Sequence, residues 1–281
     1  MGRRSFAKIT GNLDLTPRLK KEDEIPRPWS PEALFGRVAP IEFEIGSGKG
    51  MFIRKAAALR PDHDFLGVEV AYRYALTAAA GLVKAGRDNA LMICADAAKL
   101  LADWVPDESL AAVHVYFPDP WWKKSHRKRR IMRADVVQLI EKRLIPGGKL
   151  HFWTDVADYF GEALDVIRRE TALAGPFPVP DPDGIGESPV TSVFASEKTA
   201  DETTAETPSG TPVASGEESS SDRDAFRVGE TENAPYYGEN GDQNPPAPRN
   251  GEGDFLSHFE RRTRLNHLPV WRSVFIKPAS P

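Results

Sequence analysis

The sequence predicts an α/β fold built on a doubly wound, mostly parallel sheet. Short apolar runs alternate with stretches of helical period between residues 41 and 155, the pattern of consecutive strand–helix units. The runs close one after another on acidic residues: Glu44, Glu69, Asp96, Asp119 and Asp155. Directly after the first run come three alternating glycines, Gly46, Gly48 and Gly50. Sheets of this kind bind ligands at the carboxyl ends of their strands.

Taken in order, "IEFEIG" (41–46) reads as a buried strand, followed by a helix from about Gly50 to Leu59. "DFLGVEV" (64–70) is a second strand, with a helix through the alanine-rich "AYRYALTAAAGLVKAG". "ALMICAD" is a third strand and "LAAVHVYF" (110–117) a fourth. A helix over 132–144 is expected to end at "PGG", where Gly147 or Gly148 can take the left-handed cap. "KLHFWTD" (149–155) is the fifth strand.

The chain of 281 residues has ample material for a core. No window reaches the roughly 18 apolar residues of a membrane span, and the charged N-terminus has no apolar stretch of the signal-peptide kind. Cys94 is the single cysteine, which excludes an intrachain disulfide and a cysteine-based zinc site. These features predict a cytoplasmic protein with no membrane and no metal, and nothing in them requires a protein partner.

Charge is unevenly spread. Residues 181–254 hold 17 Asp+Glu against 4 Lys+Arg, leaving 24 acids against 33 bases elsewhere. The acidic stretch is dense in Ser, Thr, Gly and Pro, a composition that cannot bury enough apolar surface to offset chain entropy, so it reads as a mostly disordered insertion. The division expected is a basic, partly flexible segment (1–35), a ligand-binding core (36–180), the insertion (181–254) and the C-terminal part of the core domain (255–281). A basic structured part is the electrostatic footprint of a polyanionic partner.

The glycine loop, "EIGSGKG", discriminates between ligands. A P-loop would need glycine where Phe43 stands and Ser or Thr where Gly50 stands. A dinucleotide fingerprint needs a different third spacing, and Glu44 would repel a pyrophosphate. S-adenosylmethionine suits the loop better, because it has no phosphate and carries a sulfonium and an ammonium. Glu69 then stands where a carboxylate accepts ribose hydroxyls, and Asp96 where one meets the adenine amino group.

After the fourth strand comes "FPDPWWKKSHRKRRI" (117–131). A basic run alone is ordinarily a solvated helix start or a localisation tag; one that directly follows a strand end in a ligand crevice points to substrate. The stretch resembles the signature PDPWxKKxHxKRR of the bacterial tRNA (guanine-N7-)-methyltransferase family. "IEFEIGSGKG", "FLGVEV", "GGKLHFWTD" and the late "SHFERR" follow in that family's order and spacing, so the resemblance covers about 36–175 and 255–277.

The resemblance implies a seven-stranded Rossmann-like sheet of the class I methyltransferase type. It also implies transfer of a methyl group from S-adenosylmethionine to N7 of guanine 46 in the tRNA variable loop. Carried over by position, the cofactor set is Glu44, Gly46, Gly48, Glu69, Asp96 and Asp119, with Asp119 also catalytic. Substrate contacts fall on Lys123, Asp155, Ser257, His258, Phe259 and Glu260, and RNA contacts on Ser125, His126, Arg127, Lys128, Arg129 and Arg130. The family's late segment reads Thr-Lys-Phe-Glu, so Ser257 keeps a hydroxyl whereas His258 replaces a permanent charge. Arg261, Arg262 and Arg264 extend the basic surface, and Trp121 and Trp122 are candidates to stack on the base. Other readings are a related enzyme acting on ribosomal RNA, and an RNA-binding protein on a degenerate methyltransferase scaffold.

Overall fold

The runs rich in Val, Ile, Leu and Phe pair into the sheet, as the computed structural model shows for residues 12–26, 29–179 and 269–279. The insertion 181–254, the expected contacts Ser257, His258, Phe259 and Glu260, and Arg261, Arg262 and Arg264 lie outside the described residues. The strands are β1 (Leu19–Lys21), β2 (Ile41–Ile45), β3 (Asp64–Val68), β4 (Ala90–Cys94), β5 (Leu110–Tyr116), β6 (Leu144–Thr154), β7 (Ala174–Pro178) and β8 (Trp271–Ile276). Their order across the sheet is β1-β4-β3-β2-β5-β6-β8-β7. Strands β1 to β6 pair in parallel, and β8 runs antiparallel between β6 and β7.

The expected seven strands are therefore eight among the described residues. The additional one is β1, three residues long, which lies in the segment read as an N-terminal extension. It pairs Leu19 with Met92, and Met92 N–H donates to Arg18 O at 3.0 Å. Without it the backbone of β4 would be an open edge, which invites pairing with other chains.

Helices α1 (Pro31–Phe35), α2 (Met51–Leu59), α3 (Tyr72–Lys84), α4 (Ala97–Asp103), α5 (Ala134–Arg143) and α6 (Ala157–Glu170) complete the fold. Side chains alternate across a strand, and here each face meets its own helices. Leu66, Leu91, Ile93, Val113 and Val115 pack with Leu100 of α4, Val136 and Ile140 of α5, and Phe160 and Leu164 of α6. Phe65, Ala90 and Met92 pack on the other face with Phe52 and Ile53 of α2 and Ala78 and Leu82 of α3. This is the doubly wound arrangement. Each large apolar side chain buried in it contributes roughly 1.5–3 kcal/mol, so truncating the fully buried Phe65 to alanine would cost about 3–5 kcal/mol.

One expected detail differs. Helix α5 ends at Arg143, and its cap, Leu144, is extended rather than left-handed. Gly147 does adopt a positive φ of 77°, but in a bulge of β6: Leu110 pairs with Leu144 and Ala112 with Lys149, so residues 145–148 loop out. The bulge is clasped to the chain after β8, with Gly147 N–H donating to Lys277 O at 2.8 Å and Lys277 N–H to Gly148 O at 2.9 Å. The glycine is needed for that clasp and not for a helix end. Among the described residues, no helix is long and apolar enough to cross a membrane.

Between β2 and β5 the chain order of the sheet reverses direction. This switch point opens a crevice beyond the strand ends, flanked by the glycine loop after β2 and the Phe117–Lys123 loop after β5.

Candidate active site

The glycine loop is a cradle closed by a carboxylate. Gly46 and Gly48 have φ of 74° and 53°, and a Cβ at either would meet nothing within 4 Å. Left-handed backbone beside open space is where glycine lets a ligand approach the main chain. Glu69, at the end of β3, spans the loop: its Oε2 accepts from Gly48 N–H at 2.9 Å and its Oε1 from Ala71 N–H at 2.8 Å. Each oxygen has a second lone pair, so the side chain is held in place and still able to accept from a diol. Gly67 matters for a different reason. A Cβ there would lie 2.6 Å from Ser47 Oγ and 2.8 Å from Ile53 Cδ1, so β3 must be bare where the loop and α2 press on it.

Glu44 sits behind the cradle on the face shared with α2. It is 5 % exposed, and its Oε2 is buried without a hydrogen-bond partner. Burial pushes its carboxyl up to about 8, a hydrogen bond from the Ser47 hydroxyl opposing this and the Glu69 charge adding to it. A buried carboxylate with one oxygen unpaired costs stability unless a cation arrives. That fits a ligand bearing a sulfonium and an ammonium.

The other carboxylates stand in the expected row at the carboxyl ends of successive parallel strands. Asp96 follows β4 and caps α4, its Oδ1 accepting from Ala98 N–H at 2.8 Å and Lys99 N–H at 3.3 Å. That oxygen is committed to the helix, which leaves Oδ2 for a ligand. Asp119 is exposed in the loop after β5, and Asp155 is half-buried after β6. An open cavity of about 780 Å³ beside the end of β4, lined by Lys21, Ile25, Tyr72, Cys94 and Trp104, includes none of these carboxylates.

The loop after β5 is held in a demanding conformation. Phe117 and Trp121 have φ of 50° and 43°, left-handed values that cost on the order of 1–3 kcal/mol each for such residues. Phe117 is buried and its N–H donates to Trp153 O at 2.8 Å. Trp121 is occupied: His126 meets its ring edge-on at 5.7 Å and the Arg129 guanidinium lies 5.1 Å from its centroid. Trp122, by contrast, is 66 % exposed. Lys123 caps a short 3-10 helix over Lys124–Arg129. In it Ser125, Arg127, Lys128 and Arg129 are exposed and His126 half-buried. Arg130 departs from the expectation of a surface contact, being buried with protein partners of its own.

Beneath the site, on the same face as Glu44, lies a polar chain with no signature in the local sequence. His114 Nε2 lies 2.7 Å from Glu42 Oε2, and its Nδ1 lies 2.9 Å from the Tyr116 hydroxyl. A carboxylate only accepts, so Nε2 carries the hydrogen and Nδ1 accepts from Tyr116. Arg60 and His63 complete the pairing of Glu42 Oε1. Burial alone would raise Glu42, but the His114 hydrogen bond, with the charges around it, outweighs burial and holds it at about 2. Burial pushes His114 down, and it pushes His151, stacked 4.7 Å away, well down.

The fold and its row of carboxylates are those expected of an S-adenosylmethionine-dependent methyltransferase, and the relatives of the chain show that it is one. Residues 38–175 match the family model described as "Putative methyltransferase". The chain is 44 % identical over 193 residues to the tRNA (guanine-N(7)-)-methyltransferase of Rhodopirellula baltica, covering 67 % of this chain and 70 % of that one. It is 40 % identical over 179 residues to the protein of the same name from Aromatoleum aromaticum, covering 60 % and 69 %. Among solved structures, it is similar to an antibiotic-related methyltransferase, with a TM-score of 0.41 and 14 % identity over 52 % of this chain and 75 % of that one. The chain belongs to the tRNA (guanine-N(7)-)-methyltransferase family, and its cofactor is S-adenosylmethionine.

Besides that polar chain, other features escaped the sequence reading. The bare β-strand at Gly67 was present in "DFLGV" as a glycine inside an apolar run, which is a signal of close approach. The unpaired oxygen of Glu44 and the Glu162 partner of Arg130 had no local signal, because both depend on contacts made only in the fold.

Proposed function

We propose that the protein transfers a methyl group from S-adenosylmethionine to N7 of guanine 46 in the variable loop of tRNA, as a cytoplasmic enzyme. The observation that carries this reading is the loop after β5. Its exposed Asp119 stands across the switch point from the glycine cradle, and an exposed basic helix leads away from it. Glu44, Gly46, Gly48, Glu69 and Asp96 hold the cofactor, which supplies an electrophilic methyl group.

Guanine N7 carries a lone pair and no proton, so no strong general base is needed, and rate comes mainly from orientation. Asp119 holds the guanine edge or offsets the positive charge that develops on the base. Lys123 and Asp155 contact the substrate, together with Ser257, His258, Phe259 and Glu260. Ser125, His126, Arg127, Lys128 and Arg129 meet the RNA, the cations among them neutralising phosphates and making affinity salt-dependent. Trp122 is exposed and free to stack on a base extruded from the tRNA fold, whereas Trp121 supports the basic run.

The test is to incubate the protein and S-adenosylmethionine with total tRNA and, separately, ribosomal RNA, and to map methylated guanines. A single N7-methylated guanine at position 46 is expected; methylation confined to ribosomal RNA would overturn the reading. An Asp119→Asn variant with an unchanged single-turnover rate would remove Asp119 from the mechanism.

A further inference from the structure

Arg130 ends the basic run, yet it does not share the environment of that run. It is 7 % exposed, and its neighbours Arg127, Lys128 and Arg129 face solvent. Its guanidinium is engaged in three ways. Nε donates to Pro120 O at 2.6 Å. Nη1 pairs with Glu162 of α6. The group also lies 4.6 Å from the centroid of the Tyr159 ring. Tyr159 and Glu162 are three residues apart on α6, so they share one helix face. Tyr159 is itself fixed, its hydroxyl accepting from Met132 N–H at 3.4 Å.

Pro120 immediately follows Asp119. The loop that carries both has no helix or strand of its own, and it contains two left-handed residues, Phe117 and Trp121. Phe117 is tied to β6 at the loop's start. A loop so strained relaxes unless it is held at a second point, and the Arg130–Pro120 bond is a hold between the two strained residues. A planar guanidinium can stack on a ring while its edge donates in two directions, which a lysine ammonium cannot do.

We infer that Arg130 is a positioning residue: it braces Pro120 against α6 and thereby fixes Asp119 in the crevice, and it takes no part in binding RNA phosphate. This rests on the proposed tRNA methylation. The chain's basic run is then divided by role, with Ser125 to Arg129 on the RNA side and Arg130 on the side of catalytic geometry.

The full-length protein is assayed by single-turnover methylation at saturating tRNA and S-adenosylmethionine, and by tRNA affinity as a function of salt. Arg130→Gln and Arg130→Lys are each expected to slow the saturated rate at least tenfold. Their tRNA affinity, and the slope of log affinity against log salt, should stay at the wild-type values. Glu162→Gln removes the brace from its exposed end. It should also slow the rate, and should add little to the loss in the Arg130→Gln background. Because Glu162 also pairs with Arg127 at 3.3 Å, this variant frees a cation and should not weaken tRNA binding. Lys128→Gln gives the signature of an RNA contact, a salt slope shallower by about one.

The inference is overturned if Arg130→Gln shows the Lys128→Gln slope change with an undiminished saturated rate, or if Arg130→Lys restores that rate. If Arg130→Gln does not fold, Glu162→Gln decides alone, and a wild-type rate from it overturns the inference. A wild-type protein that leaves tRNA unmethylated removes the tRNA reading itself, and the inference with it.

Discussion

Glu44 should make cofactor binding release a proton. Its carboxyl is pushed up to about 8 by burial, so at pH 7 about nine in ten molecules carry it neutral. A bound cation favours the ionised form and draws the group back toward the ordinary carboxylate range. Affinity for S-adenosylmethionine should then rise about tenfold per pH unit below pH 8 and level off above it, with about 0.9 proton released per cofactor bound at pH 7. Titration calorimetry in buffers of different ionisation enthalpy measures that proton directly. The cofactor's own amine also titrates, so the informative quantity is wild type minus Glu44→Gln, in which the amine cancels. The same shift predicts stability. A carboxyl raised in the folded state stabilises fully below its unfolded value near 4.5 and loses that contribution as pH rises through about 8. Cofactor-free Glu44→Gln should therefore match wild type near pH 5 and exceed it at pH 9, by roughly 3–5 kcal/mol. Equal proton release from the two proteins would refute the reasoning, since it would mean that Glu44 keeps one protonation state whether or not the cofactor is bound.

Other expectations can be checked with ordinary melts and binding assays. His114 and His151 are both lowered by burial, so the stability from keeping them neutral is present above pH 6.5 and lost as pH falls below it. His151→Gln should flatten the fall in thermal stability between pH 7 and pH 5; an unchanged slope would exclude His151 as its source. Trp122→Ala should weaken tRNA binding by about 1–3 kcal/mol, the usual value of a stacked base, measured by titration at fixed salt. Gly67→Ala places a methyl group against Ser47 and Ile53. It should cost about 1–3 kcal/mol of stability in a denaturant titration, and cofactor affinity should fall as the cradle shifts.

The strands from β2 to β6 were legible because strands covered on both faces are nearly continuous apolar runs. Their five acidic termini could be placed on one edge because parallel strands end on the same side. β1 was not legible: Leu-Lys-Lys has no strand signature, and it is a strand only because β4 has a free edge. α4 is seven residues long, and Asp96, which caps it, was read as a ligand. α6 did carry a helical pattern, with Tyr159, Phe160, Ala163, Leu164 and Ile167 buried. The carboxylates of the site are written in the sequence. The raised Glu44, the polar chain through Glu42 and His114, and the brace of Arg130 are not, because each depends on neighbours dozens of positions away.

The place of β8 sets a condition on how the sheet can close. β8 lies between β6 and β7 and is, among the described residues, the one strand that pairs with β7, although residues 179–270 separate β7 from β8 in the chain. The entropy of closing a flexible loop grows only with the logarithm of its length. Relative to a connection lacking 181–254, the whole of that stretch adds about 1.4 kcal/mol at most. The six ladder pairs of β6 with β8 outweigh that easily. The demand falls on time instead of stability: an interior position of the sheet is reserved for a strand that leaves the ribosome long after its neighbours. Until it arrives, β6 presents an unpaired edge and β7 has nothing to pair with, so this is where a nascent chain is most exposed to pairing with the wrong strand.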